Sequence, residues 1–151
     1  MEMPKANQMI IDAKPSIVAG LAQLLPKDAV LHYLNDTRPY ECDALAAYAC
    51  QPLAVVLPRT TEQVAAVLRF CHAHAIPVVP RGAGTSLAGG SLPTADSVVL
   101  SVARMVNVLE IDYPNRFIRV QTGRTNVSVT AAVEDEGFFY APDPSSQLAC
   151  A

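Results

Sequence analysis

The chain has 151 residues, a formal net charge of −3, 51% hydrophobic residues and 17% charged ones. That length suits one domain, able to bury roughly 68–70% of the surface its unfolded form exposes. The mildly acidic balance, with no basic block, no Trp and only 6% aromatic residues, argues against nucleic acid as a partner, because neutralising phosphates takes clustered Lys and Arg.

The low charge is compatible with an ordinary Ala- and Val-rich domain, or with a surface that more chain, a subunit or a cofactor covers. Cys42, Cys50, Cys71 and Cys150 form neither a CxxC pair nor any zinc-ligand spacing, so buried free thiols are expected rather than a metal site or a disulfide framework. At the N-terminus "MEMPKANQMIIDAKPS" has no long apolar core and no Arg-rich amphipathic pattern. Nowhere do about 18 apolar residues run together, so no membrane span is expected. The expected location is the cytoplasm, or a membrane face reached through a partner subunit.

In chain order, "PSIVAGLAQLL" (15–25) places Ile17, Val18, Leu21, Leu24 and Leu25 on one helical stripe, with Pro15 in the first turn and Pro26 as the stop. Residues 1–29 thus form a helical lead-in. "YECDALAAYACQP" (40–52) is ambiguous, and "LAVVLP" (53–58) is a short buried strand bounded by prolines. Thr60 and Gln63 have capping-box spacing, and Val64, Val67, Leu68 and Cys71 follow at helical intervals, so a helix runs to about His74. His72 and His74 point to nearly opposite faces of it, which suits helix-end cations better than a metal pair.

"IPVVP" (76–80) is a second strand, and strand–helix–strand makes a βαβ unit whose two strands should be parallel with a right-handed crossover. "SVVLSV" (97–102) is a further strand. "VNVLEI" (106–111) and "FIRV" (117–120) flank "DYPNR" as an antiparallel hairpin. "NVSVTAAVEDEG" (126–137) predicts a helix ending at Gly137, with Glu134, Asp135 and Glu136 as a solvated acidic end. "FFYAPDPSSQLACA" opens strand-like and turns at its prolines.

Between the second and third strands lies "VVPRGAGTSLAGGSLP" (78–93), with four glycines and no regular element. A Rossmann fingerprint would need a third glycine where Leu87 stands, and a helix after it. A Walker A loop would need lysine where Gly90 stands. What remains is a loop whose glycines leave successive amides pointing into one concavity, an anion nest long enough for a pyrophosphate. Thr85 and Ser86 add hydroxyls, and Arg81 can add positive charge. A long glycine hinge or Ω-loop is the alternative reading.

Together, "PLAVVLPRTTEQVAAVLRFCHAHAIPVVPRGAGTSLAGGSLP" (52–93) and "FYAPDPSSQLAC" (139–150) resemble the flavin-binding domain of the PCMH/vanillyl-alcohol-oxidase superfamily. "YECDALAAY" (40–48) and "APDPSS" favour its glycolate oxidase branch, a relative of D-lactate dehydrogenases. The resemblance implies an α+β fold class, the N-terminal portion of an α/β-type FAD-binding PCMH domain over residues 30–151. It implies FAD as cofactor, with Arg81, Gly82, Ala83, Gly84, Thr85 and Ser86 lining the pyrophosphate site. Gly89 and Gly90 would let the chain turn beneath it, and Pro142, Asp143 and Ser145 would begin a second contact region near the flavin ring.

The implied activity is oxidation of a small 2-hydroxy acid, glycolate or D-lactate, to the 2-oxo acid, with further oxidase subunits as partners. Family members continue past the region matched by "APDPSSQ" into the catalytic base and substrate residues. The chain is therefore expected to be an N-terminal fragment or truncated product without a catalytic residue of its own and inactive alone. A non-catalytic phosphate- or nucleotide-binding module, or a non-functional remnant, are the other readings. One local departure from relatives is "TGRTN" (122–126) after the hairpin.

Overall fold

The structure is a computed structural model and describes residues 3–149. Cys150, counted above among the thiols, lies outside the described residues. Helices α1 (Gln8–Asp12) and α2 (Lys14–Leu24) open the chain. The side chain of Asn7 accepts from the Met9 amide at 3.0 Å to start α1. Pro15 sits in the first turn of α2, where its missing N–H is no loss. Ile17 and Leu21 on α2 enter the same apolar cluster as Val30, Val56, Val67 and Leu100, so the helical lead-in is part of the core.

A short strand β1 (Val30–Leu31) and a single turn α3 (Leu34–Thr37) follow. The ambiguous Ala-rich stretch after them is irregular backbone up to β2 (Ala54–Val56). Helix α4 (Thr61–Ala73) starts where the capping spacing places it. Thr60 Oγ1 accepts from the Gln63 amide at 3.3 Å, and Gln63 Oε1 reaches back to the Arg59 amide at 2.7 Å. Helices α2 and α4 approach closely at Gly20, where a Cβ would stand 2.6 Å from the Phe70 ring.

Strands β3 (Val78–Arg81) and β4 (Val98–Ser101) complete a four-stranded sheet in the order β1-β2-β4-β3. β1 runs antiparallel to β2, and β2 and β3 each pair in parallel with β4. The parallel direction expected of the βαβ strands is met, and β4 inserts between β2 and β3. Its four residues are all buried, as suits the strand paired on both edges and covered on both faces.

Strands β5 (Val108–Asp112) and β6 (Phe117–Val120) form the antiparallel hairpin, with a bulge between Val108 and Glu110. Asp112 closes its turn by accepting from both the amide and the side chain of Asn115, at 2.9 and 2.8 Å. Helix α5 (Asn126–Ala131) is shorter than the pattern predicts. A separate 3-10 turn, Glu134–Glu136, follows, and Gly137 caps it at φ +76°. Three successive acids at the negative end of a continuous helix are unfavourable, and the break at Val133 removes them from it. The stretch after Gly137 is not a strand. It finds no strand edge, and the Tyr140 amide bonds instead to Thr130 Oγ1 at 3.2 Å.

Candidate functional site

The glycine loop leaves the C-terminal end of β3, the end of a parallel strand where ligands gather in open α/β sheets. Arg81 is the last residue of β3, and its carbonyl accepts from the Val102 amide at 3.0 Å, so the sheet holds the loop's first residue rigidly. Beyond it the ladder stops. None of the amides of Gly82, Ala83, Gly84, Thr85, Ser86 or Leu87 donates a hydrogen bond to any described residue. Ser86 Oγ accepts from the Ala88 amide at 3.2 Å, and the loop returns to the interior at Ser91 and Pro93.

The glycines divide into two kinds. Gly84 and Gly89 have φ of +73° and +74°, a left-handed backbone that side chains resist. Gly82 and Gly90 do not, and a Cβ on either would meet no atom within 4 Å. Those two are open flanks, where bare backbone can be approached from outside. Unpaired amides next to bare backbone are what an anionic oxygen needs, so the residues present fit a pyrophosphate.

Arg81 does not extend into this space. Its Nη1 donates to the Cys42 carbonyl at 2.7 Å, and its guanidinium lies 5.5 Å from the centroid of the Tyr40 ring. A Cβ on Gly84 would overlap the guanidinium, so the loop backbone lies directly against it. The loop therefore presents neutral donors, with its nearest cation turned inward.

Beneath the loop runs the turn 40–45. Asp43 is 5% exposed; its Oδ1 accepts from the Leu45 amide at 2.9 Å, while its Oδ2 is buried without a hydrogen-bond partner among the described residues. Leu45 Cδ2 lies 3.6 Å from the position of a Cβ on Gly89, so the turn supports the far end of the loop as well. Tyr40, Asp43 and Leu45 stand within "YECDALAAY", yet nothing in their spacing marks them as the loop's support.

Gly82 and Ala83 line a cavity of about 300 Å³ together with Val102, Gly123, Leu148 and Ala149. Gly123 packs so close that a Cβ would collide with the Val102 carbonyl, and its amide bonds to the Met105 carbonyl at 2.8 Å. The segment after the 142–145 turn thus approaches the loop at Leu148 and Ala149. Pro142 lies elsewhere: its carbonyl accepts from Asn126 Nδ2 at 2.8 Å, and it borders a separate apolar cleft of about 250 Å³ beside the hairpin. Asp143 and Ser145 are exposed, and neither lines the cavity at the loop.

Cys71 is buried as expected, whereas Cys42 and Cys50 are only half-buried, and the thiols of Cys71 and Cys50 are unsuited to nucleophilic work. Burial pushes Cys71 up to about 11, and burial followed by the charge of Asp96 raises Cys50.

The FAD binding domain family matches residues 52–151, a span that contains the loop, the strands on either side of it and the hairpin. The chain belongs to that family, and its cofactor is FAD. It is 46% identical over 137 residues to glycolate oxidase subunit GlcD of Escherichia coli (strain K12), covering 91% of this chain and 28% of that protein. It is 35% identical over 124 residues to a D-lactate dehydrogenase of Archaeoglobus fulgidus, covering 82% of this chain and 26% of that one. Among solved structures, an alkyldihydroxyacetonephosphate synthase superposes with a TM-score of 0.81 at 19% identity, over 99% of this chain and 29% of that one. That likeness carries the fold. The chain spans under a third of the length of these relatives. Among the described residues no helix is long and apolar enough to cross a membrane.

Proposed function

We propose that this chain supplies the pyrophosphate-binding part of the FAD site of an oxidoreductase that converts a small 2-hydroxy acid to the 2-oxo acid. The observation that carries the reading is the run of amides from Gly82 to Leu87 that donate to no described residue, flanked by the open backbone of Gly82 and Gly90. The two phosphates of FAD would accept from these amides, with the Thr85 hydroxyl at the exposed rim. The names of the relatives support a 2-hydroxy acid, glycolate or D-lactate, as the substrate class. FAD, when bound, supplies the chemistry, accepting a hydride equivalent from the substrate carbon. What these residues contribute is binding and orientation.

Residues 30–151 would form the N-terminal portion of the flavin domain, with residues 1–29 packed onto it. Arg81 and Gly84 would shape the loop, and Ala83, Ser86 and Gly89 would line or turn it. Pro142, Asp143 and Ser145 would lie toward the flavin ring. Further oxidase subunits as partners agree with the subunit naming of the relative, and a cytoplasmic setting belongs to the same proposal.

The test is a thermal melt of the chain with FAD, FMN, ADP and riboflavin. A ligand at a hundred times its Kd stabilises by about 2.7 kcal/mol, a readable shift. FAD should raise the midpoint more than ADP, and riboflavin, which has no pyrophosphate, should not raise it. Equal shifts with FAD and ADP favour a general diphosphate-binding module. Equal shifts with FAD and riboflavin overturn the role of the loop.

A further inference from the structure

We propose that Arg81 is a positioning residue, a pin that sets the shape of the glycine loop, and not an ionic ligand of the pyrophosphate. This rests on the FAD reading above for its ligand, but the geometry is independent of it. Three contacts hold the guanidinium. Its Nη1 donates to the Cys42 carbonyl at 2.7 Å, across thirty-nine positions of sequence. It lies 5.5 Å from the centroid of the Tyr40 ring, within cation–π range. Gly84 lies directly against it, its missing Cβ making the room and its φ of +73° setting the turn of the chain there.

A planar group gripped in this way uses up its reach. Among the described residues only one of its five N–H donors is taken, by the Cys42 carbonyl, but with Tyr40 and Gly84 also packed against it the guanidinium would leave all three contacts to swing out to a phosphate beyond the loop. The benefit is order: a loop of bare glycine backbone loses much conformational entropy when it closes on a ligand, and a rigid pin at its first turn removes part of that loss before binding. Turn 40–45 completes the support, since Leu45 lies under Gly89 at the loop's other end. The loop is thus held at both ends by one short segment that lies thirty to fifty residues earlier in the chain.

The test compares Arg81→Lys and Arg81→Met with Tyr40→Phe and Tyr40→Ala, with Kd for FAD read from flavin fluorescence. Lysine keeps the charge but loses the planar fork, whereas methionine loses both. For a pin, both Arg81 variants weaken FAD binding by roughly tenfold or more, the equivalent of one charge-assisted hydrogen bond. Tyr40→Phe binds like the wild type and Tyr40→Ala weakens binding. The Tyr40→Ala/Arg81→Met double variant is then weaker by less than the product of the two single effects.

An Arg81→Lys variant that binds FAD as the wild type does, with Arg81→Met weak and its salt dependence flattened, overturns the proposal and makes Arg81 a phosphate ligand. Amide hydrogen exchange of residues 82–90 without ligand gives a second readout. A pin predicts faster exchange in Arg81→Lys, and unchanged exchange overturns it even if the wild type fails to bind FAD. Failure of the wild type to bind FAD counts against the FAD reading alone.

Discussion

The four-stranded sheet and the β5–β6 hairpin draw on similar β-branched sequence and end in opposite environments. Every residue of β2 and β4 is buried, whereas no residue of β5 or β6 is. The sheet has α2 and α4 behind it and one continuous apolar cluster. Among the described residues β5 pairs only with β6, and its neighbours Phe117, Tyr140 and Phe139 remain partly or largely open, Phe139 at 75%. Stability is therefore concentrated on the sheet side, and the glycine loop grows out of that rigid side. A nest of amides can hold an anion without reorganising only if the strand that launches it does not move.

Substitutions can break or sharpen this contrast. The largest effect is expected at Leu21, which is fully buried between α2 and the sheet. Leu21→Ala should lower unfolding free energy by about 2–5 kcal/mol in a urea titration. A loss under about 1 kcal/mol would detach α2 from the core.

At the border between rigid sheet and open loop, Gly84 and Gly82 should separate cleanly. Gly84→Ala puts a side chain at φ +73° against the Arg81 guanidinium, and should cost about 1–3 kcal/mol. Gly82→Ala meets nothing within 4 Å and should leave the melting temperature unchanged while weakening FAD binding. Equal behaviour of the two would erase the distinction between a shaping glycine and a ligand-facing one.

A smaller effect is expected at acid pH. Asp96 tethers the N-terminus to the sheet side by accepting from the Asn7 amide at 2.8 Å. Burial alone would raise its carboxyl, but bonds from the Thr94 side chain, the Asn7 amide and its own amide outweigh that and hold it below 3.8. A depressed folded pKa contributes stability above the unfolded value, and that stability is lost as pH falls through the folded one. Asp96→Asn should therefore be less stable than wild type at neutral pH and converge with it as pH drops below 3.8, read by denaturant titration across that range. Parallel curves would show that the tether does not depend on charge. The smallest change belongs to the hairpin: Leu109, 57% exposed, should tolerate Ala within about 0.5 kcal/mol. A larger loss would mean that this face is covered in solution.

Much of this arrangement is legible in the amino-acid sequence alone. Thr60 and Gln63 carry their capping chemistry locally, and Pro15 and Pro26 bracket α2 through backbone constraints of their own. The asparagine- and aspartate-rich turn of the hairpin closes on itself through Asp112 and Asn115. The irregular backbone of the loop was readable because glycine content is a local property. The strand expected at "FFYAP" failed because a strand exists only with a partner edge, and local composition does not say whether one is free.

By itself, then, the amino-acid sequence determined where helices start and stop, which runs are apolar enough to be buried, and that residues 82–90 must be irregular, since each depends on side chains a few positions apart. Only the tertiary structure decided that β4 inserts between β2 and β3, that Arg81 turns inward to Cys42 and Tyr40, and that Leu148 and Ala149, not Pro142, Asp143 or Ser145, approach Gly82. Those outcomes are contacts between residues far apart in the chain, selected by which strand edges, carbonyls and apolar faces remain unsatisfied once the local elements have formed.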